Sequence, residues 1–346
     1  MIQIIWFCLV AIMIAGYVVL DGFDLGAGII HLFVARNESE RQQVLHSIGP
    51  VWDGNEVWLL AGGGTLYFAF PALYAAAFSG FYLALMIVLW LLILRGVSIE
   101  LRSHVDNAIW KPFWDLVFGG ASALLALLYG AALGNVVRGV PLDANGYFFL
   151  PLWTNFVPGK NAGIVDWYTL LVGAAGFVAL TMHGSYWVAL KTGEDLQRRS
   201  RAAGARTWWV VLALSALVTL ASFELQPHLA AEFSQYPWGF VFPLLALAGL
   251  IGIRVFHAQQ KDLGAFLASC LYLIGMLTSA AFGVFPYVLP SNVSPDAGLT
   301  VTNAAAASYG LYIGLAWFIP GMLLAAGYSV FVYRRLAGKV EAERGA

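Results

Sequence analysis

Apolar residues fill this chain in long blocks separated by short polar connections. A helix that crosses a bilayer needs about 20 mainly apolar residues. Nine blocks meet that rule, roughly 3–25 (with apolar sequence continuing to 33), 51–70, 72–94, 113–134, 164–190, 207–225, 238–257, 264–287 and 306–333. Pro71 separates the second block from the third, which predicts a tight antiparallel hairpin. The expected fold is an all-α polytopic membrane protein, with nine transmembrane helices in bundles and 1–346 forming a single integral-membrane domain.

Composition sharpens this. The chain is 60% hydrophobic and 11% charged, with a mean hydropathy of +0.77. Soluble domains are nearer half apolar and a quarter charged. A formal net charge of -1 gives no footprint for nucleic acid. The two cysteines, Cys8 and Cys270, both lie in apolar runs without a C-x-x-C neighbour, so no disulfide or zinc framework is indicated. The N-terminus lacks a basic region and a small-residue cleavage site and is expected to be a retained first span.

Charge placement sets orientation. Of the 18 lysines and arginines, 16 fall in alternate connections and the C-terminal tail; the other connections hold only Arg138 and Lys160. By the positive-inside rule the N-terminus is expected outside and the C-terminus in the cytoplasm. This makes 191–206 a basic cytoplasmic loop, 335–346 a cytoplasmic tail and 135–163 an outer loop. In that outer loop Tyr147, Phe148, Phe149, Trp153 and Phe156 are expected along the headgroup boundary.

The candidate chemistry is acidic. Asp53 and Glu56 open the second block and are three residues apart, on one helix face. Asp21 and Asp24, with the same spacing, lie near the end of the first. Antiparallel neighbours would bring all four to one depth. Carboxyls inside a membrane are costly, face a bundle interior and often mark ion or proton routes. The competing reading leaves them ionised and hydrated among the headgroups. Glu100, Arg102, Asp106 and Asp115 could pair with one another, but read mainly as solvated charges. Gly62, Gly63 and Gly64 are not a phosphate loop, since no lysine follows; close helix contact is the expected use. The same use is expected of Gly22/Gly26, Gly130/Gly134 and Gly310/Gly314. Among six histidines, only His183 reads as clearly inside a span, with a bundle contact favoured over haem ligation.

The segments Asp21 to Gly28 (DGFDLGAG), Trp52 to Trp58 (WDGNEVW), Tyr74 to Tyr82 (YAAAFSGFY) and Phe285 to Ser291 (FPYVLPS) closely resemble subunit II of the cytochrome bd quinol oxidases. The compact length is similar to the cyanide-insensitive branch. The resemblance implies a heterodimer with a subunit I that binds haems b and d and oxidises quinol. The complex would reduce oxygen to water in the aerobic respiratory chain of a bacterial cytoplasmic membrane, an electrogenic, proton-consuming reaction. Subunit II would bind no haem, support the assembly and contribute a cytoplasmic proton route through positions matching Asp24 and Asp53, with Asp21 and Glu56 beside them. Trp52, Gly54, Asn55 and Trp58 would be supporting or interface residues. Some members hold a structural quinone in this subunit, and some complexes carry a small accessory subunit. Glu56 departs from a family member with Gln at that position. The rival class, a proton-coupled transporter, would call for paired repeats and broken helices, and no such repeat stands out.

Overall fold

A computed structural model describes residues 1–143 and 145–340. The end of the expected tail, 341–346, including Arg344, lies outside the described residues. Twelve α-helices dominate: α1 (Ile2–Val34), α2 (Glu38–Ile48), α3 (Trp52–Ala69), α4 (Pro71–Gly80), α5 (Tyr82–Leu101), α6 (Trp110–Arg138), α7 (Trp167–Lys191), α8 (Glu194–Leu225), α9 (Pro227–Gln235), α10 (Val241–Ala258), α11 (Asp262–Val284) and α12 (Ser308–Arg335). Strands β1 (Tyr287–Leu289) and β2 (Leu299–Thr300) pair antiparallel, with Tyr287 opposite Thr300.

Among the described residues, eight helices are long and apolar enough to cross a membrane: α1, α5, α6, α7, α8, α10 (with the 3-10 turn before it), α11 and α12. The other expected span, 51–70, is α3. Its 18 residues reach about 27 Å at 1.5 Å per residue, and its polar first turn and three consecutive glycines dilute its hydropathy.

Two boundaries differ from expectation. The third block, 72–94, is broken at Phe81, where the backbone leaves helical geometry (φ -96°, ψ 19°). Gly80 is pinned there. Its carbonyl accepts from the Leu150 N–H at 3.0 Å, and the Phe148 ring occupies the place of a Cβ. The crossing helix α5 therefore runs to Leu101 and carries Arg95 inside it. The basic stretch 191–206, expected as a loop, is helical from Glu194 onward as the first turns of α8.

Long-range bonds sort the connections onto two ends of the bundle. At one end the Arg199 guanidinium donates to the Val34 carbonyl at 2.6 Å, Gln197 to Asp262 at 2.6 Å, and the Val340 N–H to the Lys191 carbonyl at 2.8 Å. At the other the Ala306 N–H donates to Ala69 O and the Asn292 N–H to Val140 O. The 135–163 loop sits at this second end. Four of its aromatics are exposed, but Phe148 is buried against Gly80 and Phe81, because a flat ring fills the notch left by a missing side chain.

Helix α1 lies at the centre, against α3, α6, α7 and α11. From Asp21 to Ile30 every residue is buried, so the small residues there allow backbones to meet. At Gly26 an added Cβ would stand 2.7 Å from the Gly184 Cα of α7. The Gly130/Gly134 pair likewise meets α7 at Val172, Gly173 and Thr169. Gly314 takes the Phe68 ring, whereas a Cβ at Gly310, Gly63 or Gly64 would meet nothing within 4 Å among the described residues. Those glycines therefore serve no close contact among the described residues, contrary to expectation.

Candidate functional site

The buried run of α1 presents two carboxylates, and they are satisfied very differently. Asp21 is fully buried and held by both arms of Arg95 from α5: Nη1 donates to Oδ2 at 2.7 Å and Nη2 to Oδ1. Such a bidentate pair fixes geometry as well as charge. Asp24, one turn on, is equally buried. Its Oδ2 accepts from Asn55 Nδ2 of α3 at 2.8 Å, and its Oδ1 has no hydrogen-bond partner among the described residues. The Asn55 amide is oriented from its other side by the Tyr333 hydroxyl of α12, which donates to Oδ1 at 2.7 Å. One carboxylate is thus locked to a cation, and the other is half-bonded and open on one oxygen.

Glu56 points to the same place. Its Oε2 lies 3.9 Å from Arg95 Nη2, with the side chain 24% exposed. Two tyrosines complete the wall, Tyr17 donating its hydroxyl to Tyr129 at 2.8 Å. Trp52 and Trp58 act as spacers: Trp52 lies against Gly96 of α5 and Trp58 against Gly16 of α1. Gly54 meets nothing within 4 Å.

Of the acids expected together, Asp21, Asp24 and Glu56 converge. Asp53 does not: it is exposed on α3, without an ion pair among the described residues. The helix turns it about 100° per residue from Asn55, which is 3% exposed and faces inward.

Two further polar clusters lie outside the acid group. Arg102 and Asp115 are buried, and of the two readings open for them it is mutual pairing, not solvation, that the structure shows. Arg102 Nε donates to Asp115 Oδ1 at 2.6 Å, and its Nη atoms reach Glu38 at 3.0 and 2.9 Å. Arg41 and His31 approach the same Asp115 at 3.3 and 3.6 Å. Asp106 and Glu100 remain exposed, Asp106 pairing with Lys111 at 2.8 Å. At the opposite end Arg138 grips Asp166, whose carboxylate also caps α7 through the Thr169 N–H at 2.8 Å.

His183 is buried with both ring nitrogens engaged, Nδ1 with the Ser269 hydroxyl at 2.7 Å and Nε2 with the Val19 carbonyl at 3.0 Å. A ring bonded on both sides makes a bundle contact and has no lone pair free for iron. His31, also inside a helix once α1 is seen to reach Val34, bonds the Gly28 carbonyl through Nδ1 at 2.6 Å. No group of three or more His, Cys, Asp or Glu among the described residues could hold a metal ion.

Arg95 and Tyr333 are the residues that sequence reasoning missed. The signal for Arg95 was present: an arginine within the run LLILRGVSIEL needs a buried acid if the helix continues past it.

Fold and site together define an integral membrane bundle whose interior holds one neutralised carboxylate and one unsaturated one. The chain belongs to the family described as cytochrome bd terminal oxidase subunit II, whose sequence model matches residues 2–336. It is therefore a subunit of a terminal quinol oxidase, an oxidoreductase complex of respiratory chains. It is 31% identical to cytochrome bd-I ubiquinol oxidase subunit 2 of Escherichia coli K12 over 88% of this chain and 86% of that one. Identity to cytochrome bd ubiquinol oxidase subunit 2 of Bacillus subtilis is 31%, over 88% and 87%. The fold matches a chain of the bd oxidase from Geobacillus thermodenitrificans with a TM-score of 0.76 at 16% identity, covering 97% and 98% of the two chains.

Proposed function

We propose that this subunit carries protons toward the oxygen-reducing centre of its complex, with Asp24 as the carrier. The carrying observation is the unpartnered Oδ1 of a fully buried Asp24. A carboxyl bonded on one oxygen only can take a proton on the other and release it without breaking an ion pair. Asp21 cannot serve equally, because Arg95 holds it as a fixed counter-ion. Glu56, partly exposed at the edge of the cluster, leads from Asp24 toward the surface. Asp53, exposed on the next turn of α3, collects protons at the mouth. The 16:2 split of basic residues supports a cytoplasmic mouth, with the N-terminus outside, in a bacterial cytoplasmic membrane.

Haems b and d belong in a partner subunit I, which would also oxidise quinol. His183 does not fit as a ligand, and no step in this chain is routed through a haem. A structural quinone or a small accessory subunit has no assigned residues here.

The test compares Asp24→Asn with Asp24→Glu in the assembled complex, reading quinol-driven oxygen consumption against haem content. Asn keeps the bond to Asn55 but cannot carry a proton; its turnover should fall by about two orders of magnitude, the scale of a lost proton-transfer group. Glu should retain part of the activity. An Asn variant with full haem and normal turnover would remove Asp24 from the route.

A further inference from the structure

Far from the acid cluster, at the basic end of the bundle, α8 and α10 present two arginines without carboxylate partners among the described residues. Neighbouring arginines of α8 are paired: Arg198 holds Asp195 at 2.8 Å, Arg199 holds Glu40 at 2.6 Å and Arg201 holds Asp262 at 2.6 Å. Arg254, in the last turns of α10, instead lies over two indoles of α8, 5.3 Å from the Trp208 ring and 5.6 Å from the Trp209 ring. Trp208 is fixed by its Nε1–H, which donates to the Leu250 carbonyl at 2.9 Å. Trp209 meets it edge-on and is 59% exposed. Arg206, exposed, precedes Trp209 by three residues and so shares its helix face.

Stacking on aromatic faces holds the guanidinium plane while leaving its N–H edges free. Two cations flank one exposed indole, where the basic end of the bundle meets its apolar band. On the apolar side, Leu244, Leu247, Ile251 and Val255 form an exposed stripe along α10, at helical spacing. Leu217 and Leu220 are exposed on α8. A ligand matching all of this has phosphate oxygens at one end and long apolar chains at the other.

We propose that the α8–α10 face is a binding site for an anionic phospholipid. Arg254 and Arg206 would hold its phosphate, Trp209 would lie at the glycerol level, and the acyl chains would follow the α10 stripe. Two unpaired cations favour a net negative headgroup over a zwitterionic one.

The test uses the intact purified complex, exchanged into detergent with either phosphatidylglycerol or phosphatidylcholine. Retained lipid is quantified by mass spectrometry after washing. The wild type should retain phosphatidylglycerol in preference. Arg254→Gln and Arg206→Gln should each lower that retention roughly fivefold, the equivalent of about 1 kcal/mol per cation at an anionic surface. Haem content and basal oxygen consumption should be unchanged in both. Arg206 is exposed, so its variant carries the test if Arg254→Gln fails to assemble. Excess inorganic phosphate should leave lipid retention unaltered. Equal retention of both lipids, full retention in the Arg206→Gln variant, or displacement of the lipid by free phosphate would each overturn the proposal. So would a crosslink from position 209 to a partner subunit, which would show protein on this face.

Discussion

Removing Arg95 while keeping Asp21 separates a structural ion pair from a proton carrier. Both side chains are fully buried, so Arg95→Met leaves a carboxylate in a dry site. Breaking a buried pair from one side costs about 3–5 kcal/mol, whereas replacing both partners is often nearly neutral. The reverse variant, Asp21→Asn, should cost less, about 2–3 kcal/mol on the same scale. The stranded guanidinium still has Glu56 at 3.9 Å, while the stranded carboxylate has no second cation within ion-pair distance among the described residues. Asp21→Asn/Arg95→Met should recover most of the loss, with a coupling of about 2–3 kcal/mol between the two positions. The assay is denaturing-detergent titration of the purified complex, read by loss of the haem spectrum. A double variant no better than Arg95→Met would refute this account of the pair.

Other outcomes follow from the same geometry. Asp53→Asn should strongly lower oxygen reduction while Asp53→Glu keeps part of it, with haem content as the check on assembly; normal turnover in a fully assembled Asn variant would make Asp53 dispensable to the route. Gly184→Ala should cost about 3 kcal/mol, the upper end for overpacking, because the new Cβ would meet the Gly26–Ala27 backbone and not a flexible side chain; unchanged thermal stability of the complex would contradict the packing. Burial pushes the Glu40 carboxyl up, but hydrogen bonds from the Arg36 N–H and the Arg199 guanidinium outweigh it and hold the carboxyl below its usual range. Its contribution is therefore present above the usual carboxylate range and lost as pH falls through the depressed value, so Glu40→Gln should narrow the stability gap between neutral and acid pH, by less than about 1 kcal/mol at this partly open site.

Much of this was legible before any coordinates. Block lengths located the crossing helices because a bilayer imposes a minimum length, and the DGFD and WDGNEVW segments marked the acids because charge inside an apolar run is costly. What hydropathy could not give was the phase of each helix. A window average reads Asp53 and Asn55 alike, yet one is exposed and the other is buried against Asp24. Nor could it see that α5 starts ten residues late, because the Phe148 ring that marks the break is some seventy residues away in the chain. That shift is what turns Arg95 from a surface cation into the partner of Asp21.

The last helix has a consequence for biogenesis. Along α12 only Leu311 is buried, and the helix is moored near its start by Trp6 Nε1 donating to the Leu311 carbonyl at 3.1 Å and near its end by Tyr333 on Asn55. Tyr333 and Asn55 stand 278 positions apart in the chain. Asn55 therefore leaves the ribosome long before the hydroxyl that orients it, and α1 and α3 must wait for α12 to pack against them. Until then a nascent subunit carries an incompletely oriented Asp24, so the arrangement of this cluster is completed only when α12 docks.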